Sequence, residues 1–422
     1  MRFCLAAFAL IASAAAQDVH PKDVRPKDVR EIGKGGSSAI PRLTELLKNP
    51  STDVRVEAVK QLTEARALDS LILATHDDEP EVQIHATDGL VNFYLPGYVQ
   101  TGFSGSLKRI GGSIKGKFTD TNDQVVDAYI TVRADAIAAL GALVRGDGQS
   151  LQVRANAARA LGILRGKGAV SDLLEALRTK DSDVLYESLI ALQKIGDQSA
   201  GPKIAFLLRD LNSKVQIAAI ETTGMLRNLE AAGDLIDVLN RSRDAKVRRA
   251  ALGSLAMLPD PKNRSTLQQY LNDKDEKLRA GAAEGFARLR NPADMAPIEE
   301  AWKEEGKTAA RISLAFAMVM LGRTEISEFS PLQTLINTLN LSAYKGVALP
   351  FLTEIARDSA ARQALYAPLA TATKDEKIGL ARVLAMSGDK ASLPYLEKLS
   401  RDTDPEVAQE GLRAMRNLQA KL

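Results

Sequence analysis

The chain repeats itself. The stretch VRANAARALGIL, Val153 to Leu164, recurs in altered form at Val54, Val82, Val184, Val215, Val247, Leu278 and Val407. Weaker copies begin near Ala310, Tyr344 and Ile378. That makes about eleven units, most of them about 28 to 34 residues apart. Such a period restricts the fold more than any other feature, because a single supersecondary unit has to suit every copy. In the clearest copy, Val153, Ala157, Ala160, Leu161 and Leu164 share one face of a helical period. A shorter apolar run precedes each copy, as in AVSDLLEAL before Val184 and AAGDLIDVL before Val247. Each unit therefore reads as helix, turn, helix.

Between the two runs the chain often carries Asp-x-x-[Val/Leu/Ile], at Asp244, Asp275, Asp375 and Asp404. An aspartate there accepts the free N–H groups of the next helix, and its charge suits the positive helix end. Pro405 follows Asp404 at the first helical position, where its missing N–H costs nothing. Two short helices cannot bury both faces alone, so the units must stack into one continuous core. The expectation is an all-α fold, a right-handed α-solenoid with one inserted loop. Each unit of such a stack touches only its neighbours, so removing units from the C-terminal end is expected to lower stability gradually.

The Val-Arg-x-x-Ala cores at Val54, Val153 and Val247, with Leu-Arg at Leu278, carry a family resemblance. The chain resembles the HEAT family, and more closely its short bacterial form, the HEAT-like repeat of phycobilisome lyases. The resemblance spans roughly Ser37 to Leu418. It implies an armadillo/HEAT-like superhelix whose members mostly supply binding surfaces. The lyase relatives help attach a pigment to a cysteine of a partner.

The first residues, MRFCLAAFALIASAAAQ, have the three parts of a secretory signal: Arg2, an apolar run from Phe3 to Ala12, and Ala14 to Ala16 before Gln17. Export with cleavage near Ala16 is expected, to a periplasmic or extracellular site. The only cysteine, Cys4, lies in that segment, so no disulfide is expected afterwards. No later stretch reaches membrane-spanning length. Lys plus Arg is 56 against 53 for Asp plus Glu, a near-balance unlike a dedicated nucleic-acid binder.

The expected organisation is a signal at 1–16, a lead-in at 17–36, repeats at 37–95, a glycine-rich insert at 96–122 and further repeats at 123–422. Residues 123–144 read as an over-long first helix, with Val125, Tyr129, Val132, Ala136 and Leu140 on one face. Pro350 is expected to kink the helix around it. The insert breaks the rhythm and mixes glycine with aromatic and cationic residues, the combination a binding loop uses for anchoring. Its candidate partner contacts are Tyr94, Tyr98, Phe103, Lys108, Arg109, Lys115, Lys117 and Phe118.

Signals for chemistry are poor. Three histidines, His20, His76 and His85, offer no converging metal ligands. Gly111 to Lys117 spells G-x-x-x-x-G-K, but Phe118 stands where a phosphate-binding loop needs Ser or Thr. Gly102 to Gly105 is not a nucleophile elbow, and Arg145-Gly146-Asp147 is turn chemistry. No catalytic residue, metal or cofactor is expected. The densest basic stretch offers a candidate anion patch at Arg241, Arg243, Lys246 and Arg249. Its simpler reading is a solvated turn in which Arg248 pairs with a neighbouring unit's aspartate. The leading functional expectation is an exported scaffold for a protein or peptide partner, with no nucleic acid. A lyase-like enzyme subunit and a structural envelope spacer are the alternatives.

Overall fold

The computed structural model describes residues 24–98 and 124–422. Two compact units divide the chain, the first ending at Leu107 and the second starting at Lys108. Among the described residues there are helices and turns and no strand. The protein is an all-α repeat solenoid.

In the first unit, α1 (Pro26–Gly33) precedes the pairs α2 (Ile40–Glu45) with α3 (Thr52–Glu64) and α4 (Leu68–Ala74) with α5 (Pro80–Tyr94). α1 falls inside the expected lead-in. Pro26 starts it, and Val29 is fully buried as α1 packs on α3.

The second unit continues the pairing. It holds α6 (Ala134–Ala142) with α7 (Leu151–Ile163), α8 (Val170–Ala176) with α9 (Ser182–Ile195), and a 3-10 run (Gln198–Arg209) with α10 (Ser213–Met225). Then come α11 (Ala232–Arg241) with α12 (Ala245–Ala256), α13 (Arg264–Tyr270) with α14 (Glu276–Leu289), and α15 (Met295–Glu304) with α16 (Thr308–Met320). The last are α17 (Pro331–Thr338) with α18 (Lys345–Ile355), α19 (Ser359–Ala364) with α20 (Lys374–Ser387), and α21 (Leu393–Leu399) with α22 (Pro405–Gln419). α18 runs through Pro350.

Aspartates start the second helices as the turns require. Asp244 accepts from the Lys246 N–H at 2.7 Å, Asp275 from Lys277 at 2.9 Å, and Asp404 from Glu406 at 2.9 Å. Asp375 does not cap. Thr373 caps α20 instead, in a reciprocal box with Glu376, and Asp375 sits in the first turn. The basic pairing also differs by one residue from expectation: Arg249, not Arg248, reaches Asp275, at 2.7 Å. Equivalent inter-unit pairs join Arg55 to Asp77 and Arg279 to Glu305, each at 2.7 Å.

Successive second helices pack along their lengths, while first helices meet each other at few points. Within each unit the second helices therefore carry most of the packing between neighbouring repeats. Small residues permit this approach. A Cβ at Gly224 would lie 2.7 Å from Ser254 Cα on the next second helix, and within the last pair one at Gly411 of α22 would lie 2.6 Å from Ser400 N at the end of α21. Because that second neighbour is backbone, Gly411→Ala is expected to cost about 1–3 kcal/mol. A urea midpoint unchanged from wild type would contradict this close packing.

Residues 124–133 correct the expected long helix. They form a non-helical strap, and α6 begins only at Ala134. The strap's backbone is held elsewhere: Val126 N–H donates to Ile163 at 2.9 Å, and Ala128 N–H to the Asn417 side chain at 2.7 Å. Arg413 grips Asp127 through both carboxylate oxygens, at 2.9 and 3.0 Å. Val126 rather than Val125 is buried, and Tyr129 is exposed. The β-branched run Ile130 to Val132 favours extended backbone. The strap thus ties the beginning of this unit to its last helix, α22.

Candidate binding surface

In the second unit the second helices pack in an unbroken row, and polar side chains cross from helix to helix. Arg159 of α7 meets Glu187 of α9 at 3.1 Å, both nearly buried. Gln193 of α9 donates to Thr222 of α10 at 2.8 Å. Ser313 of α16 donates to Glu284 of α14 at 3.2 Å. Arg288 of α14 reaches both oxygens of Glu354 on α18, at 3.0 and 3.2 Å. Arg382 of α20 bonds Glu410 of α22 at 3.0 Å. Pairs of this kind fix register between neighbours more than they add stability.

The wall is crowded. Burial pushes the Glu284 carboxyl above its ordinary value, and Arg288 and Ser313 offset only part of this. Burial also raises Glu221 on α10, although the residue as a whole is exposed. Among the described residues no three His, Cys, Asp or Glu gather in a way that could hold a metal ion.

Of the insert residues singled out from sequence, Tyr94 and Tyr98 are among the described residues. Tyr94 is a core residue, 7% exposed, packed edge-on against Phe93 at 4.9 Å. It lies on the buried face of α5 with Leu90 and Val91, so its ring is not available to a partner. Tyr98 is half-buried beyond the end of α5, its N–H donating to Leu95 at 3.2 Å. Phe103, Lys108, Arg109, Lys115, Lys117 and Phe118 lie outside the described residues. In the basic stretch, Arg241 is paired with Asp237 at 2.6 Å and Arg249 with Asp275. Arg243 and Lys246 remain exposed or part-exposed at the start of α12. The patch is therefore half-neutralised.

One feature had no clear signal in the sequence. Beside α21 lies a cleft of about 670 Å³, lined by Tyr366, Tyr395, Lys377, Lys398, Leu399 and Asp402 among others. Its two tyrosines stack with centroids 4.0 Å apart, and Lys377 is tied to Asp402 at 2.8 Å. Neither tyrosine belongs to the repeated core, and they lie in neighbouring units, so spacing alone does not bring them together.

Helix pairs stacked through their second helices, with arginine-to-acid links between units, agree with a family match. The family described as HEAT repeats matches residues 137–224 and 232–318. HEAT repeats are therefore present in those two stretches. Curated proteins give no match to it. Among solved structures, an engineered protein is 19% identical, with 90% of this chain and 98% of that chain covered, at a TM-score of 0.37. The complex of CpcE and CpcF of phycocyanin lyase from Nostoc sp. PCC7120 is 18% identical, covering 75% of this chain and 100% of that chain, at a TM-score of 0.31. Human deoxyhypusine hydroxylase in complex with glycerol is 19% identical, covering 68% and 96%, at a TM-score of 0.28. The matched residues include α7 to α14 and so many of the second helices linked above.

Proposed function

We propose that this HEAT-repeat chain is an exported scaffold that binds a protein or peptide partner, and that it acts by binding rather than by catalysis. The partner lies along the inner face of the second helices and is held further by the insert at 96–122. The observation that carries this reading is the inner wall itself, a polar and apolar surface running unbroken across successive units. The near-balanced charge supports a protein partner over a nucleic acid. The insert supports the second contact: among the described residues α5 ends at Tyr94 and the next helix starts at Ala134, a separation wider than the short turn a repeat needs.

The test replaces Gly97 to Thr121 with a short Gly-Ser turn. Partners captured by the wild-type chain are then titrated against both proteins. Affinity is expected to fall at least about tenfold in the replacement, the loss of one good anchoring contact. Equal affinities, with both proteins folded, would remove the insert from the binding site.

A further inference from the structure

The strap, residues 124–133, sits against the last second helix as a ligand would, not as a cap would. A capping segment covers the apolar surface at the open end of a stack. Leu412 and Leu422 nevertheless stay exposed, and of the strap's own side chains only Val126 is buried. Polar bonds hold the rest. Arg413 reaches both Asp127 carboxylate oxygens, and the Asn417 amide donates to the same carboxylate at 3.2 Å. Asn417 Oδ1 in turn accepts the Ala128 N–H at 2.7 Å. One side chain thus reads the aspartate and the peptide unit that follows it. The Val126 N–H donates to Ile163 O at 2.9 Å, and the Lys194 ammonium donates to Gln124 O at 3.3 Å. The Ile130 N–H returns to Asp127 O at 3.0 Å, so the aspartate is presented at a turn, with Tyr129 exposed beside it. The groups that grip the strap come from the ends of α7, α9 and α22.

The strap fills its seat incompletely. A cleft of about 460 Å³ remains beside it, with Val126, Ile130, Val132, Ile137 and Leu164 among its walls. Ile130 and Val132 are only half-buried there. Removing the strap would uncover one buried valine and would unfold no helix. Segments held this way, by part-exposed polar bonds over few apolar contacts, are the ones that open most readily. Charge narrows what could take the strap's place. Arg413 and Arg416 both lie close to Tyr129, and Arg165 and Lys167 line the cleft. The acids nearby are already engaged. Glu410 bonds Arg382 at 3.0 Å and lies 3.8 Å from Arg413, and Asp197, near Lys167, accepts the Ser199 N–H. A basic segment would therefore meet arginines with no free acid to receive it. An aspartate at a turn, followed by an aromatic residue and with apolar neighbours to enter the cleft, matches every group the seat offers.

We propose that the ends of α7, α9 and α22 form a docking site for an acidic, aromatic-bearing peptide segment of a partner protein, and that the strap occupies this site in the free chain and is displaced on binding. The site is separate from the row of second helices and from the insert, so it does not rest on the reading above. The test titrates a labelled synthetic peptide of residues 124–133 into the full chain and follows fluorescence anisotropy. In the wild type the tethered strap competes at an effective concentration on the order of a millimolar, so the peptide binds weakly. Asp127→Asn in the chain should tighten the peptide at least about tenfold, because the seat is then open more of the time. Val126→Ser, which loosens the strap without touching Arg413 or Asn417, should do the same. Adding Arg413→Ala to either variant should abolish the gain. The peptide that itself carries Asp127→Asn should bind the opened chains at least about tenfold less well. Equal affinities in the wild type and in both loosened chains, all folded by circular dichroism, would overturn the proposal. So would binding that survives Arg413→Ala. A wild-type chain that is dimeric by light scattering and turns monomeric with Arg413→Ala would assign the seat to the strap of a second copy, and would overturn it too.

Discussion

Phe316→Ala is expected to lower the unfolding free energy of the second unit by about 3–5 kcal/mol, the usual cost of deleting a buried phenylalanine ring. The ring is fully buried in α16 and stacks on Phe351 of α18, with centroids 4.3 Å apart and planes 6° from parallel. The guanidinium of Arg288 on α14 lies 5.3 Å from the same ring. One side chain therefore joins three successive second helices, and the cavity cannot close without moving all of them. Urea denaturation measures the loss. Hydrogen exchange should show lowered protection concentrated in α14 to α18, since stacked units communicate through neighbours. A loss under about 1 kcal/mol would mean the wall collapses onto the gap and is far looser than its packing implies.

Breaking the clasp between strap and α22 is the second large effect expected. Asp127 receives both Arg413 nitrogens and the Asn417 amide, so Asp127→Ala should cost about 1.5–3 kcal/mol. Burial raises the Asp127 carboxyl, but the bonds from Arg413 and Asn417 outweigh it and hold it below the ordinary carboxylate range. A lowered folded-state value means the contribution is complete above the unfolded carboxylate pKa. It is lost as pH falls through the lowered value. Wild type should therefore lose stability in acid more steeply than Asp127→Asn, whose pH profile lacks this component. Parallel acid limbs in the two proteins would rule out the clasp as a source of stability. The clasp also revises the expectation of gradual loss on C-terminal truncation. Cutting at Asp404 removes α22 and releases the strap together, so that first cut should cost more than a cut through an interior unit.

The clasp marks the limit of what the sequence discloses. Local rules reported the repeats well: apolar period, aspartate caps and small residues at close approaches all act within one unit or between neighbours. Val153, Val184, Val215 and Val247 are buried as their spacing requires. Failures arose where a distant or competing contact decided the outcome. Residues 123–133 have a passable helical pattern, but Arg413 and Asn417 claim Asp127 and Ala128 from almost the far end of the chain. Asp375 lost the cap to Thr373, whose partner Glu376 satisfies both sides of the box. Tyr94 read as a surface anchor because it adjoins the insert, yet its helical phase turns it inward.

The row of second helices takes its geometry from a second unit whose strap and last helix are joined. The most direct measurement places spin labels at Thr131→Cys and Gln419→Cys in a Cys4→Ser background and records the distance distribution by pulsed paramagnetic resonance. The joined structure gives one short, narrow distance, which broadens and lengthens when Asp127→Ala is added. A broad, long distribution in the parent protein, unaffected by Asp127→Ala, would contradict it.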